Sequence, residues 1–184
     1  MLFIVLGVLV VVALWAMAVF NGLVGLRNQV QNAWKQIDVQ LKRRHDLIPN
    51  LVNTVKGMMK FEQDTLTRVM EARAKAVSAR TVAEKGAAES ELGGSLARLL
   101  AVFENYPDIK SNQNVLKLQE ELTTTENQIG FTRQHYNDLV MRFNTQQQVF
   151  PANLIAGMFG FSPAEFLEIA EADREVPRVD LSVS

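Results

Sequence analysis

Lys42, Arg43, Arg44, His45, Asp46, Asn50 and Asn53 crowd one short stretch of this 184-residue chain. An imidazole near a carboxylate could serve general acid–base chemistry or bind a metal. The spacing favours neither. His45 and Asp46 are consecutive, and consecutive residues of a helix point in different directions. The only other histidine is His135, and neither histidine has a second ligand type four residues away on a helical face. The chain has no cysteine, which excludes a disulfide framework, a thiolate zinc site and a cysteine nucleophile. No glycine-rich phosphate loop and no Gly-x-Ser-x-Gly elbow occurs. The expectation is a protein without enzymatic activity, cofactor or resident metal.

Those charges have a second use. Arg44, His45 and Asp46 interrupt an apolar stripe, where polar groups that pair across helices fix register at some cost in stability. Their expected partners are Glu120, Glu121, Glu126 or Asn127 of a facing helix. In the plainer alternative Lys42 and Arg43 face solvent and only Arg44 or Asp46 is paired. The helix-packing set is therefore Trp34, Asp38, Arg44, His45, Asp46, Pro49, Asn50, Glu121, Glu126 and Asn127.

The elements that would position these residues are all helical. Apolar residues recur at three and four through Leu26, Val30, Ala33, Ile37, Leu41, Ile48, Val52, Val55 and Met59, then at Leu66, Val69, Met70 and Val77. This predicts one helix over about 27–82, bent at Pro49, which lacks an N–H and clashes with the carbonyl of His45. Two helices broken at Pro49 are the alternative. Residues 84–94, EKGAAESELGG, read as a linker or a helix end. A short helix over about 92–105 ends before Pro107, and a long one runs over about 112–149. Ser162, Pro163 and Glu165 fit the N-cap, first-turn and reciprocal-cap positions of an acidic helix over 162–172. Residues 173–184 form a tail. The fold class is all-α, an antiparallel four-helix bundle.

Residues 1–26 carry no charged side chain. About 20 apolar residues suffice to cross a hydrocarbon core, so a transmembrane helix continuous with the first bundle helix is expected. A cleaved signal peptide is the alternative, since Ala16-Met17-Ala18 matches a small-x-small site. Against it, no basic residue precedes the apolar run. Arg27, Lys35, Lys42, Arg43 and Arg44 follow the span, which by the positive-inside rule puts the N-terminus outside and the bundle in the cytoplasm.

Blocks along the chain resemble the bacterial LemA family. They are NQVQNAWKQIDVQL at 28–41, KRRHDLIPNLV at 42–52, Glu104-Asn105-Tyr106-Pro107, Leu118-Gln119-Glu120-Glu121-Leu122, Thr125-Glu126-Asn127, Arg133, Tyr136-Asn137, Asn144, Phe150-Pro151 and Phe159-Gly160-Phe161. The resemblance covers about 21–162. It implies an N-terminal anchor in the bacterial inner membrane, a short outer N-terminus and a cytoplasmic antiparallel helical bundle, and it implies no reaction. Met58-Met59-Lys60-Phe61 departs from the family pattern, which often has an aromatic residue and a histidine there.

Two functional expectations follow. A narrow stripe on so long a helix would outrun the helices available to cover it, which favours a homo-oligomeric scaffold. Alternatively, a monomeric adaptor binds a soluble protein or another membrane protein through the acidic last helix and tail. The apolar segment with Phe150, Ile155, Met158, Phe159 and Phe161 could touch the bilayer or a sister subunit, or plug the bundle end. The net charge of −1 gives no pull toward nucleic acid.

Overall fold

A computed structural model describes residues 1–59 and 61–169. The described chain is all-α: α1 (Leu2–Val55), α2 (Gln63–Ser78), α3 (Val82–Phe103), α4 (Pro107–Lys110), α5 (Gln113–Gln148) and α6 (Ala152–Met158). They contribute to two compact units, Met1–Arg44 with Thr123–Phe166, and His45–Leu122 with the segment from Leu167.

In the first unit α1 pairs with α5. Trp34 meets Tyr136, ring centroids 5.4 Å apart, and Arg44 bonds Glu126. Ten residues forward on α1 thus match ten residues back on α5, which defines an antiparallel pair. Leu23, Val30, Ala33, Ile37 and Leu41 of α1, and Ile129, Tyr136, Val140 and Phe143 of α5, are buried. Before this seam, residues 2–15 of α1 are exposed all round, and the helix is long and apolar enough to cross a membrane.

In the second unit five helices share one core: Ile48, Leu51 and Val55 of α1, Leu66, Val69 and Ala72 of α2, Leu92, Leu99 and Phe103 of α3, Ile109 of α4, and Val115 and Leu122 of α5. A tight turn at 79–81 makes α2 and α3 a hairpin, bridged on its surface by Lys75 and Glu91 at 2.7 Å. Thr81 starts α3 with a reciprocal cap. Its Oγ1 accepts from the Glu84 N–H, and the Glu84 carboxylate accepts from the Thr81 and Arg80 N–H groups. Those two backbone donors hold the Glu84 carboxyl below the usual carboxylate range. Its contribution to stability is therefore present above the unfolded-state pKa and lost as the pH falls through the lowered one.

Three sequence expectations are corrected. The helix expected over 27–82 passes through Pro49 but ends at Val55, and α2 begins at Gln63. Met59, in the connection, and Leu66 of α2 lie seven residues apart, two helical turns to within about 20°. The apolar phase therefore survives the reversal and conceals it. The expected linker 84–94 is the body of α3, and the helix assigned to 92–105 starts at Val82. The helix expected over 162–172 is irregular from 161 to 169, and its remainder lies outside the described residues, as does the tail 173–184.

The physical reason for the last correction is that side chains occupy the backbone groups such a helix would use. Asn144 donates from Nδ2 to the Ala164 carbonyl at 2.9 Å and accepts the Ala164 N–H at 2.8 Å. Tyr136, its phenol pushed above the ordinary range by burial, donates to the Glu165 carbonyl at 2.8 Å. Leu167 is then fully buried beside Gly86, where a Cβ would lie 2.3 Å from the Glu168 carbonyl oxygen. Gly86 is thus the small residue that close approach demands. Around Gly93 nothing lies within 4 Å of an added Cβ. Glycine in a helix costs roughly 0.5–1 kcal/mol relative to alanine. Gly93→Ala should therefore stabilise the full chain by about that amount. Gly86→Ala should destabilise it by about 1–3 kcal/mol through overpacking. Urea titration in mild detergent, followed by far-ultraviolet circular dichroism, measures both signs.

Candidate functional site

The chemistry-bearing residues gather at His45. Pro49 has no N–H, so the helical acceptor four residues earlier, the His45 carbonyl, loses its intrahelical donor. A buried carbonyl left unpaired costs about 1–3 kcal/mol. Arg73 of α2 supplies the missing hydrogen bond, its Nε–H donating to the His45 oxygen at 2.6 Å. The proline and the arginine form one device: a helix continues through a residue that would otherwise break it.

The His45 ring is held as well. Its Nε2 lies 2.8 Å from Oε1 of Glu89 on α3. Glu89 is 1 % exposed and His45 8 %. A carboxylate removed this far from water requires a hydrogen-bonded partner, and the imidazole provides one. His45 therefore ties α1 to α2 by its backbone and to α3 by its ring.

Arg44, also buried, bonds the largely exposed Glu126 of α5 through Nη1. Trp34 is half-buried against Tyr136. Asp38, Asp46, Asn50 and Asn127 are exposed, Pro49 and Glu121 half-buried. Of the anticipated pairings of Arg44, His45 and Asp46 with the acidic stretch of α5, that of Arg44 with Glu126 is present. The pairing of His45 is corrected: its partner is Glu89, on the segment read as a linker. A signal was available, because Glu89 falls in phase with Leu92, Leu96, Leu99 and Phe103, so a carboxylate stands on the apolar stripe of α3. Arg73 could have been found by asking which donor serves the carbonyl that Pro49 orphans.

A second cluster lies in the first unit. The α6 helix closes with the N–H of Phe161 on the Ala156 carbonyl and that of Gly160 on Gly157, with Gly160 at φ 66°. This is a Schellman turn, whose left-handed position suits glycine. It sets Phe159 and Phe161 against Phe20 of α1, ring centroids 4.7 and 5.8 Å away. The Arg27 guanidinium stands 5.3 Å over the Phe161 ring. Ile155 is buried, whereas Phe150, Met158 and Phe159 are exposed. Among the described residues no group of three or more His, Asp or Glu side chains is placed to hold a metal ion.

The contacts on view in the His45 cluster satisfy buried polar groups where helices cross. Replacing Arg73 by Met should cost about 1–3 kcal/mol, the penalty of an unpaired buried carbonyl. In a Pro49→Ala background, which restores the backbone donor, the same replacement should cost measurably less, and a double-mutant cycle by urea titration reads the coupling. Glu89→Leu should cost about 1–3 kcal/mol by leaving the buried His45 ring nitrogen without its partner. Glu126→Gln, at the solvent end of its pair, should stay within about 1 kcal/mol.

The sequence pattern of the LemA family matches residues 33–181. Protein LemA of Metamycoplasma hominis is 27 % identical over 166 residues, covering 89 % of this chain and 74 % of its own. Magnetosome protein MamQ 2 of Paramagnetospirillum magneticum is 26 % identical over 192 residues, covering 89 % and 71 %. Magnetosome protein MamQ of Magnetospirillum gryphiswaldense is 22 % identical over 173 residues, covering 80 % and 64 %. With the matched segment spanning most of its length, the chain belongs to the LemA family.

Proposed function

We propose that this protein is a membrane-anchored, non-enzymatic helical scaffold of the bacterial inner membrane. The observation that carries the reading is the character of α1. One uninterrupted helix begins as a bare apolar rod and continues as a core element. Helices satisfy their own backbone hydrogen bonds and so can stand in hydrocarbon, while an exposed apolar surface of this size is costly in water. The basic residues Arg27, Lys35, Lys42, Arg43 and Arg44 follow the apolar stretch, which supports an outside N-terminus and a cytoplasmic bundle.

The scaffold also self-associates in this reading. The supporting surface differs from the seam that the sequence suggested. Ile37, Leu41, Ile48, Leu51, Val52 and Val55 of α1 are buried within a single chain, so that seam needs no second copy. The outer side of α5 instead carries exposed Phe131 and Met141, and exposed Val149 directly follows its last residue. At 3.6 residues per turn these three fall within about 80° of one another, a coherent apolar face. Such a face on a bundle helix suits a like face of another copy.

Two measurements test the proposal. The full-length chain should remain with the membrane pellet after alkaline carbonate extraction, and deletion of residues 2–22 should release it. Recovery of intact chain in the soluble fraction overturns the anchor. Light scattering in mild detergent should give a mass of two copies or more, reduced by Phe131→Glu. A monomer at micromolar concentration overturns self-association.

A further inference from the structure

The antiparallel register of α1 and α5 has a consequence for depth in a bilayer. Seven residues back from Trp34 lies Arg27, and six forward from Tyr136 lies Arg142. The two arginines therefore stand at nearly one level. Beyond Arg27 toward the N-terminus α1 has no charged side chain. Beyond Arg142 the chain has no Asp, Glu, Lys or Arg until Glu165. Charge ends on both helices at the same height, as expected where a single boundary plane crosses them.

The elements past that level are apolar on their outer side. Phe150, Leu154, Met158 and Phe159 are between 57 and 79 % exposed. Leu154 and Met158, four apart on α6, share a face, and Ile155 and Ala156 bury the other. The ring contacts of Phe159 and Phe161 with Phe20 hold this face beside α1 where its apolar stretch nears its end. Gln146, Gln148 and Asn153 are exposed in the same region. Uncharged amides among bare apolar rings match the mixed headgroup zone rather than hydrocarbon or bulk water. From Arg142 to Val149 the helical rise spans about 10 Å, the depth to which interfacial helices sink.

We propose that the last two turns of α5, α6 and the turn Phe159–Phe161 form a wedge seated in the headgroup–acyl boundary of the bilayer leaflet from which α1 emerges. Its outer contacts are lipid, through Phe150, Leu154, Met158 and Phe159. Arg27 and Arg142 lie at the phosphate level, where guanidinium groups pair with lipid phosphates. The inference rests on the proposed membrane anchor and adds a second lipid contact, one that fixes the depth of the bundle.

The chain has no cysteine, so single-cysteine variants accept one probe each. Full-length Met158→Cys, Val39→Cys and Val10→Cys, labelled with a nitrobenzoxadiazole fluorophore, are reconstituted in phosphatidylcholine–phosphatidylglycerol vesicles with or without lipids spin-labelled near the headgroup or deep in the chain; Val39 is exposed on α1 twelve residues past Arg27. The probe in Met158→Cys should emit to the blue of the one in Val39→Cys and lose most of its emission to the shallow quencher. The probe in Val10→Cys should lose its emission to the deep one. If the Val10→Cys probe is quenched while the Met158→Cys probe behaves as the Val39→Cys one, the wedge fails and the anchor stands. If the Val10→Cys probe escapes quenching, both fail. Blue-shifted emission from Met158→Cys that no spin-labelled lipid quenches assigns the face to another copy or protein and overturns the lipid contact.

Discussion

The physical constraint on which the structure depends is the cover of α1. Its apolar side chains outnumber those of any other described helix, and they fall into two populations. From Leu23 onward they form a stripe that helices of the same chain bury, while residues 2–15 are apolar on every side and have no protein cover. A striped helix is satisfied by a bundle; an unstriped one needs an apolar solvent. The remaining elements follow from this division. The α5 helix covers the stripe antiparallel in the first unit, the α2–α3 hairpin closes the core of the second, and the α6 turn packs its aromatic rings at Phe20, where the uncovered stretch gives way to the stripe.

Apolar cover alone would leave the helices free to slide. Liquid-like cores lose uniqueness before they lose stability, and buried polar groups that are fully satisfied restore a single arrangement. His45 is such a point. A helix register shifted by one residue would separate its ring from Glu89 and its carbonyl from Arg73 together. Asn144 acts likewise on an irregular segment, holding both the N–H and the carbonyl of Ala164 so that residues 161–169 have a defined path without a helix of their own.

Much of this was legible in the sequence. Charge-free residues 1–26, the three–four spacing of apolar residues and the absence of strand patterns point to an all-α chain that opens with a long apolar helix. Phe159-Gly160-Phe161, set apart by resemblance, is a turn around a left-handed glycine. Three features escaped. The reversal at 56–62 was hidden by the preserved heptad phase. The start of α3 was discounted because glycines and small residues resemble a linker, although Thr81 and Glu84 carry the capping pair. The expected helix at 162 had the right cap residues, but they are outweighed by Asn144 and Tyr136, 18 or more positions away.

By itself the sequence determined what is local or periodic: which stretch has no polar face, which faces are apolar, where proline removes a donor and which residues can end a helix. Only the tertiary structure decided the pairings: Glu89 for the His45 ring, Arg73 for the carbonyl above Pro49, Asn144 for Ala164, and a backbone carbonyl seated against Gly86. Local pattern is fixed by the stereochemistry of a few neighbouring residues. A hydrogen-bond partner across a bundle is chosen by where distant helices come to rest, and many glutamates, arginines and asparagines share the same chemistry until packing brings one of each within 3 Å.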